Sequence, residues 1–165
     1  MSAAVRDEEP GDIPLIRKVV TAAFDQALEA DLVDRLRADG DSVISLVAIE
    51  DAELAGHVML SKMSAPFPAL GLAPVAVAPA RQRSGIGSLL IRTALDRARE
   101  EDWAAVFVLG DPAYYRRFGF DPALAAGFES PYAGPYLMAL ALKGPLPATT
   151  GRIDYAPTFA DLDGR

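Results

Sequence analysis

The chain has 165 residues, 51% of them apolar and 24% charged, a balance that excludes disorder and predicts one folded domain over residues 1–165. Its net charge of −7 excludes non-specific nucleic-acid binding and leaves room for a cationic partner. Zero cysteines exclude disulfides, thiolate metal sites and a Cys nucleophile, and accord with a cytoplasmic protein. The acidic segment Met1 to Pro10 lacks the features of a secretory signal, and no apolar run approaches the ~18 residues of a membrane span.

In chain order, a short strand is expected around Ala3–Arg6, and Asp12 is placed to cap a helix. Ile13, Ile16, Val19, Val20, Ala23 and Phe24 share one helical face. A second helix, about Glu29 to Ala38, repeats the period with Leu32, Val33 and Leu36 and ends at Gly40. Ser42–Ile49 and Leu54–Met63 form a predicted antiparallel hairpin. After Pro66 and Pro68 comes a strand ending at Val77. A helix follows with Ile86, Leu89, Leu90, Ala94 and Ala98 inward and Arg92, Arg97, Arg99 and Glu100 largely outward.

Ala104–Leu109 contains no polar residue and predicts a buried strand. Asp111 before Pro112 is placed to cap a short helix through Arg117, and Tyr136–Leu142 is a further strand. The Pro- and Gly-rich tail over 144–165 is expected to lie extended on the surface. Strand–helix–strand from Leu72 to Leu109 predicts a right-handed crossover between parallel strands, with hairpins on either side. The class is therefore α/β (α+β), a mixed sheet with helices on both faces.

The junction after Val77 carries the most information. An apolar strand stops at Pro79, Arg81-Gln82-Arg83 turns the chain, and Gly85 and Gly87 open a helix. Such a junction leaves backbone N–H groups unpaired at the positive end of a helix dipole, where a phosphate or pyrophosphate binds. Arg81 and Arg83 favour that anion role over mere solvation. A Rossmann fingerprint needs a third glycine, but position 90 is Leu; a P-loop needs a lysine that is absent. The bland alternative is a tight turn that simply uses glycine freedom.

Gln82-x-x-Gly85-x-Gly87 resembles motif A of the GNAT superfamily of acyl-CoA-dependent N-acyltransferases, and Ala113–Phe120 resembles that family's Tyr-x-x-x-Gly-Phe helix end. Val108–Tyr115, Glu29–Val33 and Gly151–Tyr155 are similar to its small bacterial YhbS-like branch. The resemblance implies a mostly antiparallel sheet with a central parallel crossover and acetyl-CoA as cosubstrate. The backbone N–H groups of Ser84, Gly85, Ile86, Gly87 and Ser88 would then hold the pyrophosphate, with Arg81, Gln82 and Arg83 lining its approach. Val75 and Val77 would pair the pantetheine arm, and the Val77 N–H would polarise the thioester carbonyl. Tyr115 aligns with a general acid for the departing thiolate, with Tyr114 as fallback and a core tyrosine as the structural alternative.

The general base is open: residues 69–78 hold no ionisable side chain, which leaves Glu29, Glu129, His57 or a water. For His57, the only histidine, a structural role outweighs a catalytic one. A catalytic metal would rest on carboxylates alone, and no spacing gathers them. The expected activity is acetyl transfer to a primary amine by direct attack; the competing reading is a non-catalytic acyl-CoA-binding or regulatory module. Superfamily members commonly dimerise, so a homodimer is compatible with the resemblance.

Overall fold

A computed structural model describes residues 2–163, so the expectations for residues 1, 164 and 165 lie outside the described residues. The chain runs β1 (Ala4–Asp7), α1 (Ile13–Phe24), α2 (Leu28–Ala38), β2 (Ser42–Glu50), β3 (Glu53–Lys62), β4 (Ala69–Val77), α3 (Ile86–Glu100) and β5 (Ala105–Leu109). It continues through α4 (Pro112–Tyr115), α5 (Pro122–Ala125), β6 (Phe128–Glu129), β7 (Leu137–Ala141), β8 (Gly151–Arg152) and α6 (Phe159–Asp163). Six strands form one sheet in the order β1-β2-β3-β4-β5-β7, in which only the β4–β5 pair is parallel. The β2–β3 hairpin turns at Asp51 and Ala52, whose φ values of 53° and 64° match the left-handed pair that a two-residue hairpin turn requires.

Strand alternation sends neighbouring side chains to opposite faces, and each face finds its own helices. Leu46, Val58, Leu60 and Leu72 meet Ile86, Leu90, Ile91 and Ala94 of α3, while Val47, Met59 and Ala76 meet Ile16, Val20, Val33 and Leu36 of α1 and α2. The α3 stripe is rotated slightly from its expected setting. Leu89, expected inward, is 38% exposed, and Ile91 is fully buried in its place. Asp12 also differs: its carboxylate accepts from the Glu9 N–H at 2.7 Å and pairs with Arg6 at 2.7 Å, so it closes the preceding turn and makes no side-chain cap on α1. Asp111 caps α4 as expected, accepting from the Ala113 N–H at 2.9 Å.

The segment after residue 144 does not lie extended on the surface. Gly151 and Arg152 pair with β6, and Ser64 and Asp154 exchange two backbone hydrogen bonds of 2.9 Å each. Ile153, Ala156 and Phe159 are buried, and Ile153 joins the Phe67–Phe107–Phe128 aromatic cluster. These apolar residues are too sparse among Pro and Gly to show a period. Burying Ile153 and Phe159 contributes about 1.5–3 kcal/mol each, which holds the segment down.

One feature of the sheet positions everything that follows. β4 pairs with β5 only from Ala69 to Gly71; beyond that point β4 follows β3 to Val77 while β5 follows β7 to Leu109. The two parallel strands therefore diverge into a V. Ala73 and Pro74 stand opposite the single residue Met59, a bulge that turns β4 further from its neighbour.

Candidate functional site

At the open end of the V, the chain leaves β4 through a one-turn helix at Pro79–Arg81 and enters α3. Arg83 (φ 65°) and Gly85 (φ 90°) are both left-handed, and α3 begins with no side-chain cap. Its first internal bond is donated by Leu89 to the Gly85 carbonyl, so the N–H groups before Leu89 are left to point outward. An ideal Cβ on Gly85 would meet nothing within 4 Å, and one on Gly87 would find Tyr114 Oη at 3.5 Å and Val77 Cγ2 at 3.6 Å. Gly85 thus faces open space, and Gly87 sits at ordinary contact distance from Tyr114 and Val77. The recess in front of them has a volume of about 370 Å³. Consecutive N–H groups at the positive end of a fifteen-residue helix form an anion cradle.

The side chains around this cradle divide into holders and contributors. Gln82 Nε2 donates to the Val77 carbonyl at 3.1 Å and Ser84 Oγ donates to the Arg81 carbonyl, which fixes the turn. Ile86 is buried in the α3 core and offers the recess only its backbone. Arg81 lines the recess as expected, but its guanidinium binds Glu50 at 2.6 Å and Glu53 at 2.5 Å, tying the turn to the β2–β3 hairpin. Arg83 and Arg117 line the recess without a carboxylate partner among the described residues. Arg117 lies 4.5 Å over the Tyr114 ring, and its Nε donates to the Tyr114 carbonyl. Sequence reasoning missed it, although its place three residues after Tyr114 puts both on one side of a helical turn.

The edge of β4 facing the V has free backbone groups at defined positions. Val77 stands opposite Gly56, and the Ala78 N–H donates to the Ala55 carbonyl at 2.8 Å. Alternation then points the Ala76 backbone toward β3 and the Val75 and Val77 backbones toward the open V. The bond from Gln82 to the Val77 carbonyl agrees with that direction. Val75 thus offers its N–H and carbonyl, and Val77 its N–H, where β5 no longer reaches.

A cavity of about 420 Å³ runs from this edge, at Ala73–Val75, to Phe24, Glu29 and Leu32 on α1 and α2. Tyr115 lies on its wall. Gly110 makes room for the ring, since a Cβ there would sit 2.5 Å from Tyr115 Cε2. Tyr114, Phe118 and Phe120 surround the ring with centroids 5.0, 6.2 and 5.9 Å away. Burial pushes the Tyr115 hydroxyl up to about 12, so it remains a proton-bearing donor.

Of the three side chains considered as bases, one reaches this cavity. Glu29 lines it and accepts from Gln26 Nε2 at 3.0 Å. Glu129 is exposed on β6 outside it. His57 is fully buried between β2 and β4, outside the cavity. Ser45 donates to Glu8 at 2.6 Å and therefore accepts from His57 Nε2 at 2.8 Å. Desolvation holds the imidazole neutral, pushed down to about 4 despite Glu8 nearby. The cavity also holds a residue that sequence reasoning left without a role. Tyr155 reaches in from the C-terminal segment, its ring against Gly71 at the apex of the V.

This arrangement has counterparts among known proteins. The family model described as "Acetyltransferase (GNAT) family" matches residues 13–120. The uncharacterized N-acetyltransferase YhbS of Escherichia coli K12 is 36% identical over 94% of this chain and 97% of its own length. A crystal structure of Escherichia coli YhbS in complex with CoA superposes with a TM-score of 0.89 at 33% identity, covering 96% of this chain and 92% of that one. A Brucella melitensis GNAT acetyltransferase in complex with acetyl-CoA gives 0.82 at 36% identity, covering 96% and 98%. The diverging strands, the glycine turn and the tyrosine helix are those of an N-acetyltransferase scaffold, and the chain belongs to the GNAT acetyltransferase family.

Proposed function

We propose that the chain transfers an acetyl group from acetyl-CoA to a primary amine by direct attack, with no covalent enzyme intermediate. The observation that carries this reading is the continuous path along β4. An N–H-rich turn with two arginines that have no carboxylate partner among the described residues lies at one end, the Val77 N–H and the Val75 main chain follow, and a cavity holding phenols and a carboxylate lies at the other. In this assignment the N–H groups of Ser84–Ser88, with Arg83 and Arg117, hold the pyrophosphate. The Val77 N–H and, beyond it, the Val75 carbonyl pair the pantetheine amides as a missing strand would. The Val75 N–H, which shares the cavity wall with Tyr115 and Glu29, faces the developing oxyanion as the amine nitrogen attacks the thioester carbon, whereas Val77, the residue expected from sequence, lies at the cradle end.

The tetrahedral adduct then breaks its C–S bond, and the sulfur leaves with the electron pair. Tyr115 donates a hydrogen bond to it. At about 12 the phenol is a weaker acid than an ordinary thiol of about 8.5, so Tyr115 stabilises the thiolate without surrendering its proton completely. The proton of the attacking amine goes to Glu29, directly or through water.

The test is Gly87→Asp, which places a carboxylate in the cradle with space for the new Cβ. Calorimetry is expected to show loss of acetyl-CoA binding in a folded variant; unchanged affinity overturns the placement. Tyr115→Phe is expected to keep that affinity and lower kcat.

A further inference from the structure

The wall of the 420 Å³ cavity carries one charged side chain among the described residues, Glu29. The remainder is apolar or phenolic, including Phe24, Leu32, Leu109 and Phe159. Resting on the transferase reading above, we infer that the acceptor is a small monoamine on an aromatic or bulky apolar body, with one hydrogen-bonding substituent that meets the Tyr155 hydroxyl.

Charge decides the first half. A polyamine or aminoglycoside brings several ammonium groups into a space with a single counter-charge. Every further cation would be desolvated against hydrocarbon or phenol faces, a penalty that is repaid only by pairing. One ammonium is well served: Glu29 neutralises it, and aromatic faces attract a cation. The net charge of −7 does not alter this count, because the other acidic side chains among the described residues lie outside the cavity.

The rings decide the body. Tyr132, Tyr155 and Phe159 form a chain with centroids 5.5 and 5.2 Å apart, and Tyr132 and Tyr155 are tilted by only 32°. Together they present an extended aromatic wall, which suits a ring or a branched alkyl group.

Tyr155 decides the substituent. Its ring is half-buried against Gly71, and its hydroxyl is buried with no hydrogen-bond partner among the described residues. Tyr132, Phe159 and Gly71 of β4 pack around the ring. Burial raises its pKa, so it remains a neutral donor and acceptor. A buried polar group left without a partner is the kind of feature that a ligand completes, and a site built around one discriminates against ligands lacking the matching atom.

The experiment measures thiol release from acetyl-CoA with tyramine, 2-phenylethylamine, spermidine and kanamycin as acceptors, alongside calorimetric acetyl-CoA titration. We expect kcat/KM for the two aromatic monoamines to exceed that for spermidine and kanamycin by about a hundredfold. Tyramine should exceed 2-phenylethylamine by about tenfold, and Tyr155→Phe should erase that preference without changing acetyl-CoA affinity. Glu29→Gln should raise KM for 2-phenylethylamine about tenfold while the protein stays folded, as judged by circular dichroism. Spermidine or kanamycin turning over as well as the monoamines overturns the inference and leaves the transferase reading standing. Acetyl-CoA binding with no thiol release on any amine overturns both. A tenfold tyramine preference that survives in Tyr155→Phe removes the substituent from the proposal.

Discussion

Gly110→Ala tests whether the position of the Tyr115 ring controls turnover. The new Cβ would lie 2.5 Å from Cε2, 3.1 Å from Cδ2 and 3.6 Å from Cζ of Tyr115. Carbon atoms settle at about 3.5–4.0 Å, so the ring must retreat by about 1 Å. Tyr114, Phe118 and Phe120 already pack around it, so the retreat disturbs them as well. Overpacking of this kind costs about 1–3 kcal/mol, offset by about 0.4–1 kcal/mol from removing a flexible glycine in the unfolded chain. The net loss, at most about 2.6 kcal/mol, should lower Tm by several degrees at roughly 2–4 °C per kcal/mol for a chain of this size. A displacement near 1 Å at a reacting group lowers kcat by about a hundredfold. Acetyl-CoA affinity should fall far less than kcat, because the backbone donors of residues 84–88 are set by the start of α3 and only the Tyr114 ring links the Tyr115 site to the recess. Thiol release, calorimetry and thermal melting measure the three quantities separately. Wild-type kcat in the folded variant refutes the positioning argument, and so does a loss of kcat fully matched by a loss of acetyl-CoA affinity.

His57→Gln should keep turnover at pH 7.5, because the imidazole lies outside the cavity, and should make the protein less sensitive to acid. The folded-state pKa, about 4, lies below the ordinary 6.5, so the stabilisation is complete above 6.5 and is lost as pH falls through 4. The loss is about 3 kcal/mol in wild type, seen as a falling urea midpoint between pH 7 and 4, and an equally steep fall in His57→Gln would contradict it. Arg117→Ala should weaken acetyl-CoA binding more than Arg81→Ala in parallel calorimetric titrations. Arg81 is already neutralised by Glu50 and Glu53, whereas Arg117 faces the recess without a carboxylate partner among the described residues. The reverse order would mean that Arg81 abandons the hairpin on binding.

Local pattern was enough for the scaffold. The helical period of α1, α2 and α3, the nonpolar run of β5 and the Asp111–Pro112 cap each depend on neighbours in sequence. The cradle was legible for the same reason, since its donors are consecutive backbone groups. Long-range choices were hidden. Nothing near Arg81 in sequence announces that two glutamates of a distant hairpin would claim it, or that Arg117 would take the free place. The divergence of β4 from β5 is a matter of pairing that side-chain pattern does not encode. The fate of Tyr155 was hidden most deeply. Its neighbours are too mixed to show a period, and its contact with Gly71 exists only after the sheet has formed.

The C-terminal segment gives the molecule an uneven order of assembly. α3 and the two strands it joins are close in sequence, so the cradle can form early, while Tyr155 and Phe159 must close a long loop before they cover the opposite face. Detachment of residues 151–163 would require parting two short strand pairings and a few buried side chains, far less than global unfolding. A chain caught in that partly open form would retain its hold on an anion while losing the floor of its cavity. The cradle and the cavity therefore rest on separately breakable parts of one polypeptide, and protease clipping near residue 150 would open the cavity before it disturbed the turn at residues 83–88.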